Sequence, residues 1–316
     1  MTSPAATRAL RLGTRGSALA RAQSGAIAAA LGTRVELVEV VTTGDRSAAA
    51  IETMGGTGVF VSALRDRLLA GEIDVAVHSY KDLPTRPAPG LVIGAVPRRE
   101  DARDVLVSRS GATLGELPPG ATVGTGAPRR VAQLRALGLG LDVVPIRGNV
   151  DTRLRKVADG EFDAVVLARA GLARLGRLAE ISEVLDPIQL LPAPGQGALA
   201  IECRVDDAEL MALLSGLNDA DSRTTVTAER AVLAALEAGC TAPVGALAEI
   251  SEGDGPGGDE LYLRGSVTAL DGSDAVRLSA TGPTTQAEAI GRRLAGELVA
   301  AGAEHLLARP QTGSVE

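Results

Sequence analysis

The sequence predicts an α/β fold made of a discontinuous first domain, an inserted second α/β domain and a small C-terminal α+β domain. Three observations carry that expectation. Through the first two thirds of the 316 residues, short apolar runs alternate with Ala-rich stretches in which Leu or Val recurs at three- or four-residue spacing. Two segments interrupt this rhythm: Pro97 to Asp104 is charged with no apolar run, and Leu191 to Gly197 holds two prolines and two glycines. Beyond residue 220, Gly-rich turns at 253–258 and 271–273 separate segments of alternating polarity.

The strands expected in order are Ala9 to Gly13, Arg34 to Val41, Ile73 to Val77, Leu91 to Val96, Val105 to Val107, Thr122 to Gly124, Leu141 to Val144, Ala164 to Leu167 and Ala198 to Ile201. Helices are expected at 17–31, 58–71, 127–137, 149–159 and 206–217. The two interruptions read as an outgoing and a return crossing between domains. The first domain is then 1–100 plus 196–220, the second 101–195, and a cleft for a small polar ligand is expected between them. In the third domain, 221–316, a helix at 222–237 precedes strands at 244–250, 260–268 and 275–280 and a helix at 284–302.

Composition narrows the function. Only Phe60, Phe162, Tyr80 and Tyr262 are aromatic, which leaves little for base stacking on nucleic acid. The formal charge of −7 belongs to the tail: residues 221–316 hold 14 acids against 7 Arg, and residues 1–220 hold 25 acids and 25 bases. This balance argues against a polybasic nucleic-acid or membrane surface. Two cysteines, no apolar leader and no run near the roughly 20 apolar residues of a membrane span point to the cytoplasm. With no Cys-x-x-Cys and only His78 and His305, no metal site is expected.

Asp82 is the first candidate for a catalytic carboxylate. The apolar run Ile73 to Val77 ends in His78, Ser79, Tyr80, Lys81, Asp82, Leu83 and Pro84, so an acid and a base sit where a buried strand surfaces, and open α/β sheets bind ligands at the carboxyl ends of strands. A Lys81/Asp82 pair that solvates a loop is the competing reading. His78 continues the strand and reads as a structural histidine.

Arginines recur at strand exits. Arg15 and Ser17 follow the first strand, with Gln23 in the helix that begins there, a geometry suited to an anion. Gly124 to Arg130 repeats it, and Arg129 and Arg130 in a first helical turn oppose the helix dipole, so a compensating anion is expected. Arg147, Arg153 and Arg174 complete a set fitted to a ligand with several carboxylates, which guanidinium forks bind in a bidentate manner. Cys240, between Gly239 and Thr241, is a candidate nucleophile, covalent anchor or half-buried structural thiol, whereas Cys203 continues an apolar strand and reads as an inert core thiol.

Taken together, Gly13-Thr-Arg-Gly-Ser-Ala-Leu-Ala, Ile73-Asp-Val-Ala-Val-His-Ser-Tyr-Lys-Asp-Leu-Pro, Val123-Gly-Thr, Arg129-Arg130, Leu167 to Leu175, Pro194-Gly-Gln-Gly-Ala, Ile201-Glu-Cys-Arg, Thr227-Ala-Glu-Arg and Gly239-Cys240 resemble the porphobilinogen deaminase family from about residue 8 to 305. The resemblance implies two periplasmic-binding-protein-like lobes and a third domain. It implies a dipyrromethane cofactor, built from two substrate units and joined by a thioether to Cys240. Four porphobilinogen molecules are then added head to tail with loss of ammonia, giving hydroxymethylbilane.

By the same resemblance Asp82 is catalytic. Lys81, Ser17, Arg129, Arg130 and Phe60 match cofactor-binding positions, and Arg15, Gln23, Arg147, Arg153, Arg174 and Gln196 match substrate-binding ones. A monomer, and product hand-off to a uroporphyrinogen-III synthase, are further expectations. The chain departs from the family pattern at Thr57, where many relatives have Lys near the end of a loop at 44–57. It departs again at Gly126 and Ala127, where relatives have a Ser pair and where backbone N–H groups would substitute.

Two rival readings have less in their favour. A non-catalytic carboxylate receptor of two-lobed design leaves Cys240 unexplained and needs an export signal. A thiol-dependent acyl transferase lacks a histidine placed to activate Cys240.

Overall fold

Short runs such as Val75-Ala-Val-His-Ser are buried on both faces, and in the computed structural model they form sheets covered by helices on both sides. The structure describes residues 9–40, 57–239, 242–252 and 258–308, with backbone alone at 57–60 and 308. The chain divides into two units, Met1–Arg99 with Ala198–Arg223, and Glu100–Gly197 with Thr224–Glu316.

In the first unit, β1 (Leu10–Thr14) pairs in parallel with β2 (Val35–Glu39) and with β3 (Val75–Ser79). The sheet order is β2-β1-β3, then β10 (Leu199–Arg204) and β4 (Leu91–Ala95), with β10 antiparallel to both neighbours. Helices α1 (Ala18–Ala30) and α6 (Ala208–Ser215) cover one face, where Ile27, Leu31, Leu210 and Leu214 meet Leu12, Val75, Val77 and Ile201. Helix α2 (Thr57–Leu69) covers the other, with Leu64 and Leu68 against Ile73, Ala76 and Leu91. Strand β3 starts two residues later than the sequence suggests. Asp74 lies outside it and is occupied by Arg11, whose Nη2 donates to Asp74 Oδ1 at 2.8 Å.

The second unit repeats this winding. Strands β6 (Thr122–Gly124), β7 (Asp142–Val144) and β8 (Ala164–Ala168) are parallel, and β5 (Asp104–Ser108) runs antiparallel between β8 and β9 (Glu183–Val184), giving the order β7-β6-β8-β5-β9. In each sheet the antiparallel fourth strand lies across a chain crossing from its neighbours in sequence: β10 returns after the inserted segment, and β5 opens it. Helices α3 (Pro128–Ala136) and α4 (Val150–Ala158) pack on opposite faces. The short α5 (Arg169–Arg174) and β9 have too few residues to show a period, and the sequence pattern did not reveal them.

The same unit contains an antiparallel meander of β11 (Val244–Ser251), β12 (Glu260–Thr268) and β13 (Ala275–Pro283). Helices α7 (Ala220–Ala235), α8 (Ala287–Ala300) and α9 (Ala303–Ala308) supply Val232, Leu294, Leu298 and Leu306 to its core. An α/β chain with two like-wound sheets and a small α+β element is thus the fold.

Candidate active site

Strand β3 is buried from Val75 to His78, and it delivers Ser79 directly into a 3-10 turn, Tyr80–Asp82. The Tyr80 N–H donates to the Ala198 carbonyl at 3.0 Å and the Leu83 N–H donates to the Tyr80 carbonyl at 3.1 Å, so the turn is tied at both ends. Lys81 and Asp82 are half-buried. Among the described residues the buried carboxylates, Asp74, Asp104, Glu202 and Glu229, all accept hydrogen bonds. Among the described residues the Asp82 carboxylate accepts none and makes no ion pair. A half-buried carboxylate at a strand exit, fixed through its backbone and unengaged by the described residues, suits contact with a ligand.

Around it, Ser17 caps α1, its Oγ accepting from the Ala20 N–H at 3.2 Å. Gln23 is buried in α1 and its Nε2 donates to Ser79 Oγ at 3.0 Å, which fastens α1 to the last residue of β3. Arg15 is half-buried in the turn after β1. Phe60 lies in α2, but its side chain, like that of Thr57, lies outside the described residues, as do residues 44–56 of the loop and Cys240.

In the second unit the twin arginines have their compensating anion within the chain. Asp104, the first residue of β5, is fully buried and accepts from Arg129 Nη2 at 2.8 Å and from Arg130 Nε and Nη2 at 3.1 and 2.7 Å. Burial would raise the Asp104 carboxyl, and the two guanidiniums outweigh it, holding it well below the usual carboxylate range. Arg129 Nη1 also donates to the Leu191 carbonyl at 2.6 Å, and Arg130 Nη1 to the Val166 carbonyl at 3.0 Å. Gln196 joins the group, its Nε2 donating to Asp104 Oδ1 at 2.8 Å and to the Ala102 carbonyl at 2.7 Å. Two positive charges against one negative leave a net positive charge in this buried cluster.

Arg153 and Arg174 differ from that pair. Each is half-buried and bonds to a backbone carbonyl: Arg153 Nε to Gly148 at 2.8 Å, Arg174 Nη2 to Gly197 at 2.6 Å. Among the described residues neither has a carboxylate at ion-pair distance. Both are pushed down from the ordinary guanidinium value by burial, Arg153 also by the charge of Arg130 and Arg174 against the opposing pull of Glu100. Desolvated guanidiniums without counter-ions fit a ligand that brings its own carboxylates. Gly126, beside Arg153, leaves no room to spare, since a Cβ there would come within 3.0 Å of the Ile146 carbonyl and 3.7 Å of Arg153 Nη2. Arg147 is exposed on the loop that follows β7.

Sequence reasoning passed over two residues that organise the second unit's arginine cluster. Asp104 was visible only as one acid in a charged crossing. Glu229, buried in α7, accepts from the Gly195 N–H at 2.7 Å and the Ala248 N–H at 2.9 Å, so it fastens the segment that carries Gln196 to β11. Its one signal was an acid at three- and four-residue spacing from Val226, Val232 and Leu233. Cys203 is buried, and burial pushes its thiol up to about 11, which makes it unreactive.

The family model for "Porphobilinogen deaminase, dipyromethane cofactor binding domain" matches residues 10–212, and that for "Porphobilinogen deaminase, C-terminal domain" matches residues 223–300. The porphobilinogen deaminase of Nocardia farcinica is 59% identical over 321 residues, spanning 97% of this chain and 92% of that protein. The porphobilinogen deaminase of Mycobacterium avium is 56% identical over 304 residues, spanning 94% and 96%. Among solved structures, the VFT2 domain of Bordetella pertussis BvgS aligns with a TM-score of 0.38 at 18% identity, over 66% of this chain and 85% of that one. Similarity at that level bears on neither fold nor ligand.

Proposed function

We infer the division of labour among these side chains from one premise, that the chain belongs to the porphobilinogen deaminase family. Its reaction is a transfer: four porphobilinogen molecules are joined head to tail with release of ammonia, giving hydroxymethylbilane for tetrapyrrole biosynthesis. When bound, the dipyrromethane cofactor supplies the pyrrole α-carbon to which the first substrate unit is joined.

Asp82 is assigned the central role, and its half-buried carboxylate, unengaged among the described residues, is the observation that carries the reading. Loss of ammonia from porphobilinogen leaves an azafulvene whose positive charge grows as the C–N bond breaks. A fixed carboxylate accepts the pyrrole N–H and stabilises that charge without reorganising. It also stands ready to pass a proton to the departing amine. Lys81, adjacent in the same turn, is assigned to the cofactor.

Each porphobilinogen brings an acetate and a propionate. Arg153 and Arg174, desolvated and without a carboxylate partner among the described residues, are assigned to substrate carboxylates together with Arg15, Arg147, Gln23 and Gln196. Arg129, Arg130 and Ser17 are assigned to the cofactor, with Phe60 stacking on it. The net positive charge around Asp104 supports the assignment of the twin arginines, because one further anion completes neutralisation. Cys240 is assigned the thioether. The three sheets are read as three domains, and the protein as a cytoplasmic monomer that passes its product to a uroporphyrinogen-III synthase.

Intact mass tests this reading against a carboxylate receptor. Purified protein is expected to be heavier than its sequence by two porphobilinogens less two ammonias, and Cys240→Ser to lose the excess. Bare sequence mass, from cells that make porphobilinogen, would favour the receptor.

A further inference from the structure

Three ionisable side chains with no part in the chemistry above lie together in the first unit. Glu202 on β10 is 2% exposed and His78 on β3 is 6% exposed, and they meet the side chain of Arg65 from α2, which is 16% exposed. Arg65 Nε lies 3.1 Å from both Glu202 oxygens, and its Nη2 lies 2.9 Å from Oε1. His78 Nε2 faces the other oxygen, Oε2, at 3.2 Å, close enough for an ion pair but off the line of a hydrogen bond. Cross-strand pairing of Glu202 with Ala76 and of Ala200 with His78 puts Glu202 and His78 on one sheet face, the face that α2 covers.

Stability does not account for this arrangement. Apolar side chains of similar volume are commonly as stable as a buried ion pair, or more so, because the charges must be stripped of water. Location is more telling. His78 precedes Asp82 by four residues, and Val61 of α2 packs in a cluster with Tyr80, Leu83, Ile93 and Ala200, which brackets Asp82 in sequence. With no partner at its own oxygens among the described residues, the Asp82 carboxylate is placed only by its backbone turn and by whatever holds that turn.

We propose that Glu202, with Arg65 and His78, is a positioning set for Asp82. Through Arg65 it fixes α2, through His78 it fixes the end of β3, and together these hold the Tyr80–Asp82 turn in one place. The Glu202 carboxyl, which burial alone would raise, is kept low by His78 and Arg65, so the carboxylate that joins the two elements stays charged. The proposal rests on Asp82 being the catalytic carboxylate.

The test uses cofactor-loaded enzyme carrying Arg65→Met and Glu202→Met together, which removes both charges at similar volume. Expected are full cofactor mass, a Tm at or above that of the parent, KM within about twofold and kcat lower by about tenfold, the scale of a small misplacement. In an Asp82→Asn background the same pair is expected to lower kcat no further. Parental kcat in the folded double variant, or an undiminished tenfold loss in the Asp82→Asn background, overturns the proposal. His78→Leu, which leaves the Arg65–Glu202 pair in place, is the second probe should the double variant not fold: a several-fold loss of kcat at unchanged KM supports the proposal and parental kcat overturns it. Near-parental turnover in Asp82→Asn alone instead overturns the assignment of Asp82, and the two failures are told apart.

Discussion

Arg130 grips a single oxygen of Asp104, with Nε at 3.1 Å and Nη2 at 2.7 Å, and both side chains are buried. The other oxygen takes Arg129, so removal of the carboxylate strands two guanidiniums in low dielectric. Asp104→Asn should therefore lose about 3–5 kcal/mol of stability, the range for breaking a buried pair from one side. The sign of the pH effect follows from the depressed carboxyl. Its contribution is complete above the unfolded carboxylate value of about 4 and is lost as pH falls through the lower folded value. Denaturant titrations at descending pH should show the parent losing stability below about pH 5 more steeply than the variant. Parallel losses would mean that Asp104 is not ionised in the fold.

Asp82 has the opposite character, being half-buried and without a hydrogen bond among the described residues. Replacing its carboxylate removes no contact described in the fold. Asp82→Asn should keep the parental Tm and the cofactor mass while kcat falls by about 10² or more, as expected when one preorganised charge is lost. A variant that is destabilised as well as inactive would show that the carboxylate holds the turn together.

The two residues also mark what the sequence could disclose. The strand exit before Asp82 was legible because an apolar run meets an acid and then a proline, and a buried strand ends where charge begins. The unit breaks after Arg99 and after Gly197 fall at Pro97 to Asp104 and Leu191 to Gly197, two segments that interrupt a period otherwise maintained. Asp104 was not legible as a partner of Arg129 and Arg130. Its pairing runs over 25 and 26 residues of chain, and no local pattern encodes a contact made by sheet topology. The expected anion beside the twin arginines was foreseen as a charge but not as a residue. Glu229 was missed on the same ground, for it joins backbone groups 34 and 19 residues away.

Arg153 separates charge from geometry. Its Nε is held by the Gly148 carbonyl, which leaves the fork end of the guanidinium for a ligand. Lysine keeps the charge but loses both the anchoring Nε and the paired donors. Arg153→Lys should raise KM for porphobilinogen by about tenfold, one well-made charge-assisted bond, with a smaller effect on kcat. Steady-state kinetics at fixed ionic strength would measure it, and an unchanged KM would place Arg153 away from the substrate carboxylates.

Gly197 offers the sharpest test of how the arginines are held. Its φ is +87°, and a Cβ there would meet the Glu100 carbonyl oxygen at 2.3 Å, which is backbone and cannot swing aside. Gly176 has a similar φ of +69° but open space around it. Gly176→Ala should thus lose only about 1 kcal/mol, the conformational penalty alone, while Gly197→Ala adds the steric displacement and should lose more than about 2 kcal/mol. The Gly197 carbonyl is also the acceptor for Arg174 Nη2 at 2.6 Å, so the displacement moves that guanidinium. Gly197→Ala is expected to raise KM for porphobilinogen several-fold, and Gly176→Ala to leave it unchanged. Equal stabilities for the two variants, with parental KM in both, would show that the backbone relaxes around the new methyl and that Arg174 does not depend on it.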